Sequence, residues 1–330
     1  MTVQIESIGV ENFGCFRGEH HMRLRNQDST PEVIVGANAT GKTTLANAIQ
    51  LCLSGHPREE FPPLNQQRRH LGSGESVDSA LSVVLSDDAI DSRIKFTRTL
   101  RVSQTPRGVV YSIDSLRAYE DEAGEWVETR SGLALDRLFP SLSLTFSFLD
   151  AESTIGNEHW GGVGLYDLVA NVGDAAARQA VSRGLDLPDW YSTGETLREE
   201  LLSRINEKLA SFENRYLVEL GDGGLVGKYP TGGSGGPTYA LPTGQVHVIS
   251  QTAAIVASDL LPASPPIVGD SLYGRLDSDY RRNMFNLLQE SHCQPLLFLT
   301  ESECDGLDVD PSFELVYTER EQGCAISPLE

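Results

Sequence analysis

Gly36, Gly41, Lys42 and Thr43 fit the spacing G-x-x-x-x-G-K-[ST], and their residue types suit the capture of a polyphosphate. Two glycines let the backbone turn so that successive N–H groups point at phosphate oxygens, and a helix that starts there adds its positive end. A lysine in this place reaches β and γ phosphates, and the hydroxyl after it holds Mg²⁺. The binding set is therefore Gly36, Ala37, Asn38, Gly41, Lys42, Thr43 and Thr44, and the implied ligand is a nucleoside triphosphate with magnesium. The bare spacing also arises by chance, so its flanks matter. Val33-Ile34-Val35 reads as a buried strand and Leu45 to Leu53 has the apolar spacing of a helix, which is the strand-loop-helix setting the chemistry needs.

A phosphate loop needs a carboxylate for the metal, and Pro266-Ile267-Val268-Gly269-Asp270 is an apolar strand that ends in one. Asp270 is expected beside Thr43, although a buried strand can also end in aspartate for unrelated reasons. Leu241-Pro242-Thr243-Gly244-Gln245 precedes a helical run, Val246 to Leu260, and Gly274-Arg275-Leu276-Asp277 follows the strand.

Other elements must hold these pieces in place. Val3 to Val10 alternates as a half-exposed strand, Asn12 to Gly18 reads as the turn into a second, and further strands are expected at 80–85, 94–102 and 109–113. Residues 163–220 read as helical. In Thr196 to Leu220 the residues Leu197, Leu201, Ile205, Leu209, Phe212 and Tyr216 form one stripe, too short for a coiled coil. Gly221 to Gly236 reads as a flexible glycine-rich loop. The boundaries expected are a first part, 1–160, a helical insertion with the glycine-rich loop, 161–235, and a final part, 236–330.

The chain has 330 residues, 39% of them apolar, which is enough for a substantial core. Its net charge of −21 speaks against coating nucleic acid over the whole surface, so any DNA contact must be local, with Arg68, Arg69 and His70 or Arg281 and Arg282 as candidates. A pair of arginines is usually just a solvated face. Cys15, Cys52, Cys293, Cys304 and Cys324 are scattered, against a zinc site or a disulfide framework. A soluble, cytoplasmic protein without a membrane span or signal peptide is expected.

Taken in order, these segments resemble the ATP-binding-cassette (ABC) heads of the SMC-like DNA repair ATPases, and within them the DndD-type ATPases of DNA-phosphorothioation systems. The resemblance covers residues 1–70 and 140–305. Ile8 to Gly14 and Gly18-Glu19-His20 are similar to the opening strands, and Phe146-Ser147-Phe148-Leu149-Asp150-Ala151-Glu152 to the Phe-rich Asp-Gly-Glu segment. Leu241 to Gln245 resembles the signature motif, Asp270 the Walker B aspartate and Gly274 to Asp277 the D-loop. Leu296 to Glu301 resembles the final strand and switch position. The implied fold is α/β, an ABC-type P-loop NTPase head with a β-rich N-terminal lobe and a short helical insertion. The implied activity is ATP binding that closes a homodimer, the partner's Thr243, Gly244 and Gln245 completing each site, and hydrolysis that reopens it. Lys42, Glu152, Asp270 and Asp277 are the implied catalytic residues, and Thr43, Asp270 and Asp150 the metal positions. Arg17 is a candidate contact to phosphate or base, and a surface arginine is the plain alternative, as a solvated carboxylate is for Glu152.

Four departures shape the expected activity. Ser271 stands where most ABC ATPases carry a water-polarising glutamate, and its hydroxyl is a poor base. Pro242 replaces the signature serine and offers no donor, and Glu301 replaces the switch histidine. The long coiled coil with its zinc hook is missing from 160–235. Slow hydrolysis in DNA modification, repair or anti-phage defence is the leading expectation, with a nuclease or modification enzyme as partner. A nucleotide-sensing scaffold that does not hydrolyse is the alternative, and a membrane-transporter ATPase a weaker third.

Overall fold

The computed structural model describes residues 2–25, 30–55, 74–87, 91–105, 108–139, 147–150, 165–184, 194–221, 224–237, 241–318 and 323–329. Its first half contains β1 (Val3–Phe13), β2 (Phe16–Arg23), β3 (Glu32–Gly36), α1 (Lys42–Ser54), β4 (Ser76–Asp87), β5 (Ser92–Thr105), β6 (Gly108–Ile113), β7 (Arg117–Glu122), β8 (Glu125–Thr129), α2 (Ser131–Leu138) and β9 (Phe148–Asp150). Its second half contains α3 (Leu165–Ser182), α4 (Gly194–Ser211), β10 (Leu217–Gly221), β11 (Gly224–Lys228), β12 (Ser234–Pro237), α5 (Thr243–Leu260), β13 (Ile267–Asp270), α6 (Ser278–Glu290), β14 (Pro295–Leu299), α7 (Glu301–Cys304), β15 (Phe313–Tyr317) and β16 (Cys324–Pro328).

The strands form three sheets. An antiparallel sheet runs β2-β1-β4-β5-β7-β8 with β6 on β5, and a small one runs β10-β11-β12. The third, β16-β15-β3-β14-β13-β9, is parallel from β9 to β15 and carries the phosphate loop. Strands buried on both faces read as continuous apolar runs, and β14, Pro-Leu-Leu-Phe-Leu, is buried at every position. Alternate residues of this sheet enter different cores. Ile34, Leu296, Phe298 and Val268 pack with α1 and the antiparallel sheet, whereas Val33, Leu297, Leu299 and Ile267 pack with α3 to α6. The parallel sheet is therefore the common wall of two hydrophobic cores.

The helical stripe holds only in part. Leu197, Leu201, Ile205 and Leu209 are each at most 1% exposed, but α4 stops at Ser211 and the segment Leu217–Gly221 is a strand, not the end of a longer helix. Glu213 adopts φ +53°. Its N–H donates to the Ala210 carbonyl and the Asn214 N–H to the Leu209 carbonyl, the Schellman closure that turns a chain out of a helix. The expected glycine-rich loop is likewise corrected, because β10, β11 and β12 form a meander there. Gly227 has a packing reason, since a Cβ would lie 2.8 Å from Leu241 Cδ1. Leu296 to Leu299 is not the last strand either: β15 follows and flanks β3 on its other side.

The helical layer is tied to the antiparallel sheet by an ion pair that water does not reach. Arg183, just past α3, donates from Nη2 to Asp87 Oδ1 at 2.8 Å and sits 2.5 Å from Oδ2 through Nη1. Breaking one side of such a pair leaves a buried charge without its counter-ion, at a cost of about 3–5 kcal/mol. Arg183→Met should lower the urea midpoint accordingly, while Arg183→Met combined with Asp87→Leu recovers much of the loss. A single variant as stable as the parent would show that the pair does not join the layers.

Candidate phosphate-binding site

β3 ends at Gly36 and α1 begins at Lys42, so residues 37–41 form the turn expected from the sequence. Both glycines are required by contact. A Cβ at Gly36 would lie 2.4 Å from Thr40 Oγ1, the hydroxyl that closes the turn by donating to the Ala37 carbonyl at 2.8 Å. Gly41 has φ +103°, and a Cβ there would meet Cys15 Sγ at 2.7 Å and Phe16 Cζ at 2.8 Å. Ala39 also sits at positive φ, +66°. Ala37, Asn38 and Thr43 are exposed, whereas Thr44 is buried with its Oγ1 3.9 Å from Cys15 Sγ.

Lys42 folds back over its own loop. Its Nζ donates to the Gly36 carbonyl at 2.7 Å and to the Ala37 carbonyl at 2.8 Å, and the residue is 6% exposed. Burial lowers its proton affinity, while the charges of Asp270 and Glu303 oppose that shift. Two carboxylates thus act on the ammonium through their charge, one of them the expected Asp270.

Asp270 is 4% exposed at the carboxyl end of β13. In the register of the parallel sheet it lies level with Phe298 on β14 and with Asp150 on β9, so the backbone brings the two candidate metal residues to one edge. Glu152 and Phe146 lie outside the described residues, as do Arg68, Arg69 and His70. Ser271 has φ +52°, a rare state for a non-glycine residue, and its N–H donates to the Phe298 carbonyl at 2.9 Å.

Glu303 was not singled out by sequence reasoning. It is 3% exposed; Oε2 accepts from the Thr300 N–H and hydroxyl, both at 2.9 Å, and Oε1 accepts from the Tyr273 N–H at 3.1 Å. One carboxylate therefore joins the start of α7 to the loop that follows Asp270. The legible signal was the capping-box spacing Thr300-x-x-Glu303. Glu301, the residue at the expected switch position, is exposed.

The remaining candidates are distributed as follows. Pro242 is the N-cap of α5, with Thr243 exposed and Gly244 open, so this helix start faces outward. Gln245 is half-buried, its Nε2 3.5 Å from the Tyr280 hydroxyl. Asp277 caps α6, accepting from the N–H groups of Asp279 and Tyr280 at 3.2 and 3.0 Å. Arg17 is half-buried on β2, two residues beyond the Cys15 that abuts the loop. Arg281 is committed to the Ser302 carbonyl at 2.7 Å, whereas Arg282 lies 3.7 Å from Asp279 on the surface.

The same arrangement is found in the head domains of SMC proteins. Residues 7–155, under half of the chain, match the family model described as an AAA domain. The SMC head domain from Thermotoga maritima superposes with a TM-score of 0.54 at 14% identity, covering 99% of each chain. An SMC head bound to the C-terminal winged-helix domain of ScpA gives 0.64 at 14% identity, over 99% of this chain and 97% of that one. An Smc head with an extended coiled coil, bound to the C-terminal domain of ScpA derived from Pyrococcus furiosus, gives 0.64 at 12% identity, over 100% and 97%. The chain has the mixed α/β fold of an SMC head. Among curated proteins none matches by sequence. No helix among the described residues is long and apolar enough to cross a membrane.

Removing the Glu303 carboxylate strips three donors of their acceptor, and hydrogen bonds to a charged group are worth about 1.5–3 kcal/mol each before relaxation. Glu303→Ala should therefore lower the denaturation midpoint clearly, while Glu301→Ala leaves it unchanged. Equal midpoints would show that Glu303 does not fasten these loops together.

Proposed function

We propose that this chain binds ATP with Mg²⁺ at the 36–44 loop and that two copies close on the bound nucleotides. The observation that carries this reading is the arrangement of Lys42: a buried ammonium on loop carbonyls, backed by Asp270 and Glu303, at the carboxyl edge of the parallel sheet. Carbonyls are weak partners for a cation compared with phosphate oxygens, so Lys42 is held ready to transfer its donors to a β,γ-phosphate group. Thr43, exposed in the first turn of α1, and the Asp270 carboxylate supply oxygen donors of the kind Mg²⁺ takes. Asp150 belongs to the same edge by its register. Magnesium would neutralise charge on the phosphates; Lys42 and the loop N–H groups orient them.

The exposed start of α5 suits completion of the partner's site, since Thr243 and Gly244 face outward. A γ-phosphate contacted from both copies would hold them together, and its loss would release them. Hydrolysis is proposed to be slow, because Ser271 is a poor base and Asp277 is occupied as a helix cap. Glu152 remains our choice for positioning water. The alternative, a scaffold that senses nucleotide without turnover, is favoured by Pro242 and by the exposed Glu301. A role in DNA modification, repair or defence, in the cytoplasm with a nuclease or modification partner, rests on the resemblance to the DndD-type group. ScpA bound to SMC heads supplies a precedent for a partner docking on this fold.

Calorimetry with ATP and Mg²⁺ should show binding to the parent and none to Lys42→Ala; a ligand at one hundred times its Kd stabilises the fold by about 2.7 kcal/mol, so the parent Tm should rise and the variant's stay. Sizing with a non-hydrolysable analogue should show dimers only for the parent. Equal heats for both proteins would end the proposal. Phosphate release above the Lys42→Ala background separates the enzyme from the scaffold. Because burial lowers the proton affinity of Lys42 and bound phosphate would restore it, affinity should be full below the depressed pKa and fall as pH rises through it, beginning below the ordinary lysine value of 10.5. A flat profile up to that value would show that the Lys42 charge does not contact phosphate.

A further inference from the structure

We propose that Cys15 and Cys324 are a redox modification site, two thiols that a hydroperoxide converts to a disulfide directly against the phosphate loop. The placement comes from backbone pairing. Phe16 and Gly323 form an antiparallel bridge, which sets Cys15 opposite Cys324, and the Cys324 N–H donates to the Cys15 carbonyl at 2.9 Å. Residues directly opposite on antiparallel strands have Cβ atoms about 4.5–5.5 Å apart, and a disulfide wants about 3.8 Å. The bond can therefore form after a small approach of the two strands.

The chemistry selects this pair among the five cysteines. Cys15 is half-buried, and the neighbouring Cys324 thiol is the chief cause that lowers the pKa of Cys15, while Cys15 in turn raises that of Cys324. Cys52 and Cys293 are fully buried and pushed up to about 12, and Cys304 is pushed up to about 11, in each case chiefly by burial. Reactivity follows thiolate character and access, and a nearby second thiol resolves the first product. In the first step the Cys15 thiolate attacks a peroxide oxygen. An S–O bond forms, the O–O bond breaks, hydroxide or alkoxide leaves, and the sulfur is oxidised by two electrons while the peroxide is reduced. In the second step the Cys324 sulfur attacks Cys15. The S–S bond forms, the S–O bond breaks, and water leaves with the Cys324 proton.

The consequence for the loop is mechanical and rests on the nucleotide reading above. Cys15 Sγ fills the space beside Gly41, where an added Cβ would lie 2.7 Å from it, and also touches Thr44. Drawing the sulfur toward β16 removes support from the first turn of α1, so the oxidised protein binds nucleotide more weakly.

The test uses the full chain, reduced and then treated with hydrogen peroxide. Peptide mapping should give a Cys15–Cys324 cross-link, and Cys324→Ser should stop at a Cys15 sulfenic acid trapped by dimedone. Oxidation that starts at Cys304, or an identical product from the parent and Cys324→Ser, would overturn the site. ATP affinity of the parent should fall several-fold on oxidation and return with dithiothreitol, while the Cys15→Ser, Cys324→Ser double variant stays unchanged. Complete cross-linking with unchanged affinity would overturn the link to the loop. Because the cross-link is read without nucleotide, a reduced protein that binds no ATP counts against the nucleotide reading and leaves the mapping to decide the thiol site.

Discussion

A buried ammonium without strong counter-charges is costly, and the region around Lys42 is arranged to meet that cost. Two loop carbonyls accept its protons, and the charges of Asp270 and Glu303 favour its protonated form. None of these groups is close to Lys42 through its own segment except the loop itself. Asp270 comes from β13 and Glu303 from the turn after β14, so their charges offset the burial of the lysine only while β3, β14 and β13 lie side by side.

That alignment depends in turn on burial of the parallel sheet from both faces. Side chains alternate along a strand, and here one set enters the core with α1 and the antiparallel sheet while the other enters the core with α3 to α6. A register slip of one residue would exchange the two sets, moving Asp270 away from its level with Phe298 and Asp150. Packing on two sides thus fixes the height of the acidic residues against the phosphate loop. The antiparallel sheet also delivers Cys15 and Phe16 to the space beside Gly41, where a side chain would clash.

Loops at the carboxyl edge are fastened by polar groups rather than by apolar packing alone. Glu303 holds the turn after β14 to the loop after β13, and Asp277 closes the first turn of α6. Arg281 crosses from α6 to the Ser302 carbonyl. These contacts give two of the candidate residues definite structural work: Asp277 caps a helix and Arg281 braces it.

The loop from Gly36 to Thr44, the strand that ends in Asp270 and the helix after Pro242 were legible in the sequence because each is a local pattern, written in consecutive residues with its own periodicity. The exit of the chain from α4 at Ser211 was not legible, since the apolar stripe runs on to Tyr216 and only the left-handed turn at Glu213 breaks it. Glycines of the 224–237 meander read as a loop because their strand state is set by cross-strand hydrogen bonds, not by side chains. Tertiary structure alone decided that Glu303 rather than Glu301 is buried toward Lys42, and that Cys15 meets Cys324 across most of the chain's length. Such encounters depend on which strands become neighbours, and that is settled by the burial of whole faces, a property no short stretch of residues carries.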